Sequence, residues 1–423
     1  MASDQLTAGP LVDHLFRSRA GQMVAYLTRL LGPEHLDLAE EVTQEALVRA
    51  LQNWPYSGIP QNPAGWLFRV ARNVALDALR HRTLTGEKSA ELAAEHFRHA
   101  DTPTADDAEL EEQLRDHELG MVLMCCHSIL PPDARVALSL KTVGGFSVRE
   151  IARAFLADEA TIAQRLVRAK RQIRDSGIRF ELPAGEDLIA RMDSALEVVY
   201  LMFNEGYAAQ SGEDLVRHDL CGEALRLGRL LATSSVGTPQ AHALVALMAF
   251  QAARLPARVD AAGELVLLED QDRTRWDQNL IALGFHHFTL CAEGAEVSSY
   301  HAQAAIAAIH ARAHDGRGTD WKLILGLYDQ LIELSPSPVV ELNRAVVVAK
   351  VHGAEAALAA LRPLEGSRAL RNYYFLPMVQ GQLLLEIGDK PGAAQCFHQA
   401  LGRPCSEPES RFLQRKLAQC ESH

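Results

Sequence analysis

The chain is predicted to be all-α, and three observations predict it. Ile162, Leu166, Ala169 and Ile173 lie four, three and four residues apart, which draws one apolar stripe down an α-helix. Ser147 and Glu150 stand at the spacing of a capping box, in which the hydroxyl takes an orphan backbone N–H and the carboxylate returns to the cap, so a helix begins there. Near the C-terminus, helical segments at 338–350 and 374–387 each end in a glycine-containing turn, Val351-His352-Gly353 and Gly388-Asp389-Lys390, followed by an Ala-rich helix.

The element at 66–82 reads WLFRVARNVALDALRHR. Leu67, Val70, Ala71, Val74 and Ala78 share one face, and Arg69, Arg72, Asn73, Asp77 and Arg80 share the other. Phe68 is read as core. Trp66 opens the helix after a stiff, ring-bearing loop at 54–63 that carries Trp54, Pro55, Tyr56, Pro60 and Pro63. Rings beside cations suit unstacked bases, since stacking is worth roughly 1–3 kcal/mol per base.

A second basic element spans 147–174. SVREIARAFL at 147–156 and ATIAQRLVRAKRQIR at 160–174, broken at Ala157-Asp158-Glu159, read as a helix-turn-helix. Ile151 and Phe155 are expected to pack on the stripe from Ile162 to Ile173. The other face then carries Gln164, Arg165, Arg168 and Arg171, with Lys170 and Arg174 beside it. Residues 165–179 hold six Lys/Arg against the single Asp175, and such a helix fits a major groove, with its N-terminal residues at base edges and its later cations on phosphates.

The order of DLAEEVTQEALVRALQNW at 37–54, PAGWLFRVARN at 63–73, an acidic tether, and a helix-turn-helix ending QRLVRAKRQIR resembles the extracytoplasmic-function sigma factors of bacterial RNA polymerase, over roughly residues 11–180. The resemblance implies that Asp37, Glu40, Glu41, Gln44 and Glu45 dock on core polymerase. It implies that 54–63 is the −10 specificity loop and that Trp66, Arg69, Arg72, Asn73, Asp77, Arg80 and Arg82 hold the separated −10 strand. Thr161, Gln164, Arg165, Arg168, Lys170, Arg171 and Arg174 match the helix that binds the −35 element. The implied division is a region 2 domain at 1–82, an acidic linker at 83–117 and a region 4 helix-turn-helix domain at 118–180.

About 240 residues follow, and they need a core of their own. Blocks at 195–209, 243–259, 267–277, 303–313 and 319–349 resemble the subgroup in which the sigma factor is fused to a helical, tetratricopeptide-like extension, here divided as 186–300 and 301–423. The stretch at 285–299 reads as less regular than its neighbours. Aligning Ala356-Ala357 with Ala393-Ala394 gives a period of 37, near the roughly 34 residues of a tetratricopeptide unit. Stacks of this kind leave a groove suited to a protein or peptide partner. The short spacer Glu181–Gly185 predicts contact with the sigma domains or polymerase, and hence a regulatory role.

At 423 residues and 48% hydrophobic content, the chain forms two or three cores. Its net charge of −12 is unpromising for a DNA binder until the charge is placed. Residues 87–118 hold eleven acids and three bases, so the tether is acidic while the two DNA-facing helices are basic. A screening length of about 8 Å makes the local patch the quantity a phosphate senses. The tether is a solvated linker, a repeller of DNA or a nucleic-acid mimic in a basic channel. No apolar run approaches the roughly 18 residues of a membrane span, and MASDQLTAGP lacks a signal pattern, which predicts a cytoplasmic protein with no membrane partner. The seven cysteines include no C-x-x-C, so no metal, cofactor or disulfide is assigned, at Cys125-Cys126-His127 or at His286-His287.

An enzyme in the C-terminal half is the rival class. Asn204-Glu205, Glu269-Asp270 and Asp320-Trp321 supply carboxylates, but no phosphate loop or nucleophile elbow accompanies them. A helix-turn-helix regulator with a ligand- or partner-sensing helical domain is the second rival, and it has no use for the block at 37–82. The reading is therefore a non-enzymatic sigma factor with core RNA polymerase and promoter DNA as partners. Flipping a base costs a few kcal/mol, which a ring and a polar pocket offset. Opening on the order of ten steps at roughly 1.4 kcal/mol each needs polymerase.

Overall fold

The structure, a computed structural model, describes residues 19–84, 107–155, 157–207, 217–294, 296–316 and 318–421; of residues 82–84 and 107–111 it describes the backbone alone. Among the described residues the secondary structure is helical, with one isolated antiparallel bridge between Val259 and Leu265. The chain divides into two compact units, Met1–Leu201 and Met202–His423.

In the first unit, α1 (residues 19–31) is followed by α2 (Leu36–Ser57) and α3 (Pro63–Leu84). Helix α2 buries Leu36, Ala39, Val42, Thr43, Ala46, Leu47, Ala50 and Trp54, a stripe of threes and fours that faces one core. The expected loop at 54–63 is shorter than predicted, because α2 runs through Pro55 to Ser57 and stops at Gly58. Trp54 is only 2% exposed, with its ring edge-on to Trp66 at 5.5 Å. That burial holds the last turn, in which proline forfeits one backbone bond.

Four helices follow: α4 (Asp107–Cys125), α5 (Pro132–Thr142), α6 (Val148–Ala154) and α7 (Glu159–Ser176). Part of the predicted linker is thus ordered helix, since α4 begins at Asp107 and buries Leu114 at 1% exposure. Residues 85–106 of that linker lie outside the described residues. Helix α8 (Gly185–Tyr207) crosses the boundary between the units. The first unit runs to Leu201; Met192, Ala195, Leu196 and Val199 are buried, and Arg135 Nη1 donates to Ser194 Oγ at 2.9 Å.

The second unit continues with α9 (His218–Thr233), α10 (Pro239–Ala253), α11 (Gln278–Cys291), α12 (Ser299–Arg312), α13 (Trp321–Leu334) and α14 (Pro338–His352). Helix α10 buries an unbroken run from Ala243 to Phe250, as a helix apolar on every side must. The stretch at 285–299 is more regular than its sequence reads, since Phe285–Cys291 completes α11. After α14 come α15 (Ala354–Leu361), α16 (Phe375–Glu386), α17 (Lys390–Leu401) and α18 (Glu407–Glu421). Helices α14 and α16 begin at residues 338 and 375, so the sequence period of 37 is also the structural one. Each pair turns on a glycine with positive φ, Gly353 at 88° and Gly388 at 85°, a conformation that costs any residue with a Cβ. The two pairs share a core of Leu342, Ala345, Leu361, Leu383, Ala393 and Phe397.

Candidate nucleic-acid interface

Helix α6 starts where the capping box places it. Glu150 N donates to Ser147 Oγ at 3.2 Å and Ser147 N donates to Glu150 Oε2 at 2.8 Å. Its Ile151 is fully buried, and on α7 the stripe Ile162, Leu166, Ala169 and Ile173 is no more than 5% exposed. At roughly 1.5–3 kcal/mol per large apolar side chain, this packing rather than helix propensity holds α7 in place. Phe155, the other expected contact, is half-buried.

The residues predicted to face the −35 element separate into two groups. Thr161, Gln164, Arg168 and Arg171, spaced three, four and three, form an exposed stripe. Arg171 pairs with Asp175 at 3.4 Å, both exposed, a contact worth about 0–1 kcal/mol that does not hold it from a phosphate. Arg165 and Lys170 turn back onto the protein, whereas Arg174 stays exposed while meeting a carboxylate. Arg165 Nη2 meets Asp133 Oδ2 at 3.0 Å, Lys170 Nζ meets both Asp37 Oδ1 and Glu40 Oε2 at 2.8 Å, and Arg174 Nη2 meets Asp37 Oδ2 at 3.0 Å. Burial lowers the Lys170 pKa, and the two carboxylates more than offset it, leaving the ammonium pKa raised.

On α3 the structure moves the buried stripe by a residue or so from the predicted one. Leu67, Phe68, Ala71, Ala75 and Leu79 are buried, whereas Val70, Val74 and Ala78 are intermediate. Phe68 is core as expected, edge-on to Tyr26 at 5.5 Å. Arg69, Asn73, Asp77 and Arg80 are exposed along one face, with Arg80 Nη1 at 3.1 Å from Asp77 Oδ1. Arg72 is half-buried, close enough to Tyr26 to bear on its phenol. Trp66 is half-buried on Trp54, and Gly65 N donates to Asn62 Oδ1 at 2.7 Å, which caps the first turn. The side chain of Arg82 lies outside the described residues.

The acidic residues of α2 are brought together on one helix. Asp37, Glu41 and Gln44 are exposed, Glu40 and Glu45 are half-buried, and Glu45 pairs with Arg49 at 2.9 Å. Two of them, Asp37 and Glu40, are the partners of Lys170 and Arg174. The packing of α1 against the turn after α5 is close: a Cβ on Gly21 would stand 2.0 Å from the Val143 carbonyl oxygen. Gln22 Nε2 also donates to Glu118 Oε2 at 3.3 Å.

Residues 15–85 match the family described as Sigma-70 region 2, and residues 120–173 match Sigma-70, region 4. The ECF RNA polymerase sigma factor SigE of Mycolicibacterium smegmatis is 32% identical over 177 residues, covering 41% of this chain and 64% of that protein. The probable ECF RNA polymerase sigma factor SigI of Mycobacterium tuberculosis is 27% identical over 199 residues, 44% of this chain and 67% of that protein. The chain belongs to the extracytoplasmic-function sigma factors.

This sigma factor continues past region 4 into a match at 191–292 to a family of unknown function, DUF6596. The uncharacterized protein R00370 of Rhizobium meliloti has the same extent, at 41% identity over 383 residues that cover 90% of each chain. Sequence reasoning on this sigma factor missed Asp133 as a partner of Arg165. It also missed the pairing of Lys170 with Asp37, which are 133 residues apart. No local pattern signals either one. The adjacent thiols Cys125 and Cys126 are buried against Thr142 Oγ1 at 3.2 Å and Ser139 Oγ at 3.9 Å, and burial pushes the Cys126 thiol up to about 12.

Proposed function

We propose that this sigma factor binds core RNA polymerase through Asp37, Glu40, Glu41, Gln44 and Glu45 and directs initiation in the cytoplasm by reading two promoter elements. The observation that carries this reading is the exposed stripe Thr161, Gln164, Arg168 and Arg171 on α7, which has the base-edge and phosphate chemistry that a helix in the major groove uses. The exposed face Arg69, Asn73, Asp77 and Arg80 on α3, with Trp66 at its start and Arg82 near its end, is assigned to the −10 strand.

The described conformation is then a closed one. Lys170 and Arg174, assigned to DNA, neutralise Asp37 and Glu40, assigned to polymerase. Docking on polymerase exchanges these ion pairs for intermolecular ones and releases α7 to DNA. Coupling of about 1–3 kcal/mol is enough to order the two events. In the second unit, the stacked helix pairs provide a surface for a protein or peptide partner and regulate the sigma domains, in an activating sense.

Transcription from one cognate promoter, with core polymerase and either the full chain or a chain ending at Leu201, tests the reading. Promoter-specific transcripts from the full chain support it. Failure of the full chain to bind core polymerase overturns it. Equal activity of the two chains removes the regulatory role of the second unit.

A further inference from the structure

The second unit holds an open cavity of about 490 Å³ lined by Tyr207 of α8, the end of α10, the turns after it, α12 to α14, α16 and Glu409 of α18. Its volume falls within the roughly 300–1,000 Å³ of small-molecule sites. Arg254 and Arg258 line one side of it. Their guanidinium carbons lie 5.8 and 4.1 Å from the centroid of the Tyr207 ring. Arg254 donates to the Tyr207 hydroxyl and Arg258 to the Tyr207 carbonyl.

Among the described residues, no carboxylate stands within ion-pair distance of either guanidinium. The carboxylates that line the cavity are engaged elsewhere. Glu269 pairs with Lys350 at 2.6 Å. Glu409 accepts from Ser406 N and Oγ at 2.7 and 2.8 Å and from the Tyr374 hydroxyl. Glu386 is exposed and accepts from Gln382 at 3.4 Å. Among the described residues, two arginines therefore share a cavity with no ion-pair partner, Arg258 at 8% exposure.

The polar groups around them point the same way. His310 and Gln271 line the cavity at 7% exposure each, and no described group pairs with His310 Nδ1, Gln271 Oε1 or Arg254 Nε. Burial, then Arg254 and Arg273, press His310 down to about 3, so it is neutral at pH 7. Burial pushes the Tyr207 phenol up, and Arg254 and Arg258 more than offset it, leaving its pKa lowered. Removing charges from water costs several kcal/mol per ion unless a counter-charge is close. The other walls carry Trp321, Tyr328, Tyr374, Phe375 and Met378, rings and apolar groups that cannot supply that charge but can cover a planar body.

We propose that this cavity binds a small organic anion, with its carboxylate or phosphate group on Arg254 and Arg258 and its planar or apolar body against the aromatic wall. The planar fork of a guanidinium matches both oxyanions.

The test is titration of the full chain with phenyl phosphate, phenylacetate, inorganic phosphate and benzyl alcohol, read by calorimetry and by melting temperature. Saturable binding of phenyl phosphate or phenylacetate, at least about tenfold tighter than benzyl alcohol, is expected, and the tighter of the two anions identifies the head group. Arg254→Gln with Arg258→Gln weakens that binding at least about tenfold. Because those changes also disturb Tyr207, Met378→Trp, which adds bulk at another residue lining the cavity, is the second variant; it blocks binding while both arginines remain. The proposal is overturned if neither organic anion binds saturably, if both variants bind as the wild-type chain does, or if inorganic phosphate binds as tightly as phenyl phosphate. Binding is read without transcription, so its outcome is separate from that of promoter recognition.

Discussion

Lys170 Nζ, on the helix that carries the basic stripe, lies 2.8 Å from Asp37 Oδ1 on the acidic helix, with the Lys170 side chain only 13% exposed. A half-buried ammonium between two carboxylates, Asp37 and Glu40, ties α7 to α2. Removing one member of such a group leaves the others short of charge.

Lys170→Gln should therefore lower the stability of the first unit, by about 1–3 kcal/mol since the site is only partly buried. It should also free Asp37 and Glu40 for a basic partner. Affinity for core polymerase is expected to rise by about five- to tenfold, measured by fluorescence anisotropy of labelled sigma factor. A variant that melts lower but binds core no better would show that the ion pairs are structural and do not gate docking.

Gln164→Ala should relax preference at one or two −35 bases, a base-edge pair being worth about 1–3 kcal/mol, whereas Arg171→Ala should weaken all sequences alike and reduce the salt slope by about one. Arg165→Ala is expected to perturb base preference and also to lose the contact with Asp133. Binding isotherms on matched and mismatched −35 duplexes at several salt concentrations separate the three. Identical slopes and preferences for all of them would exclude α7 as the reader.

Asn73 is exposed on α3, whereas Trp66 is half-buried on Trp54. Asn73→Ala should leave folding and core binding intact and reduce open-complex formation; Trp66→Ala should do the same with an added loss of stability. Pre-melted template should restore part of the activity of both, because it removes the unstacking cost. Permanganate reactivity of the bubble reports the result, and an unchanged bubble with Asn73→Ala would remove α3 from strand capture.

Acid should destabilise the second unit. Burial, then His242 and His286, press His287 down to about 4 from 6.5, and His310 lies at about 3. Below pH 6.5 the unfolded chain binds these protons and the folded one does not, so stability is full above about 6.5 and falls toward pH 4, by on the order of 1–2 kcal/mol per histidine at pH 5. His287 is 2% exposed and its Nδ1 lies 2.8 Å from His242 Nδ1, so protonating both would break that contact. Melting curves at pH 7.5 and 5.0 check this, and His287→Gln should flatten the difference. Equal slopes for the wild-type and variant chains would rule out His287.

Sequence alone determined what depends on neighbours within a turn or two of helix. The capping box at Ser147 and Glu150, the stripe from Ile162 to Ile173, the burial of Phe68 and the 37-residue repeat with its glycine turns all follow from local spacing and backbone sterics. The membership of residues 15–85 and 120–173 in sigma regions 2 and 4 rests on the same kind of order along the chain. Tertiary structure decided which of several chemically equal cations meet a carboxylate. In the sequence Arg165 shares a face with Arg168 and Arg171, with Lys170 and Arg174 beside it, and only the packing of α7 beside α2 and α5 sets Arg165 on Asp133 and Lys170 and Arg174 on Asp37. It likewise carried α2 past Pro55, because burying Trp54 on Trp66 outweighs one lost backbone bond. The cavity around Arg254 and Arg258 had no sequence signature at all, since its walls come from segments between Tyr207 and Glu409. A cavity of that kind exists only where helices distant in sequence leave space between them.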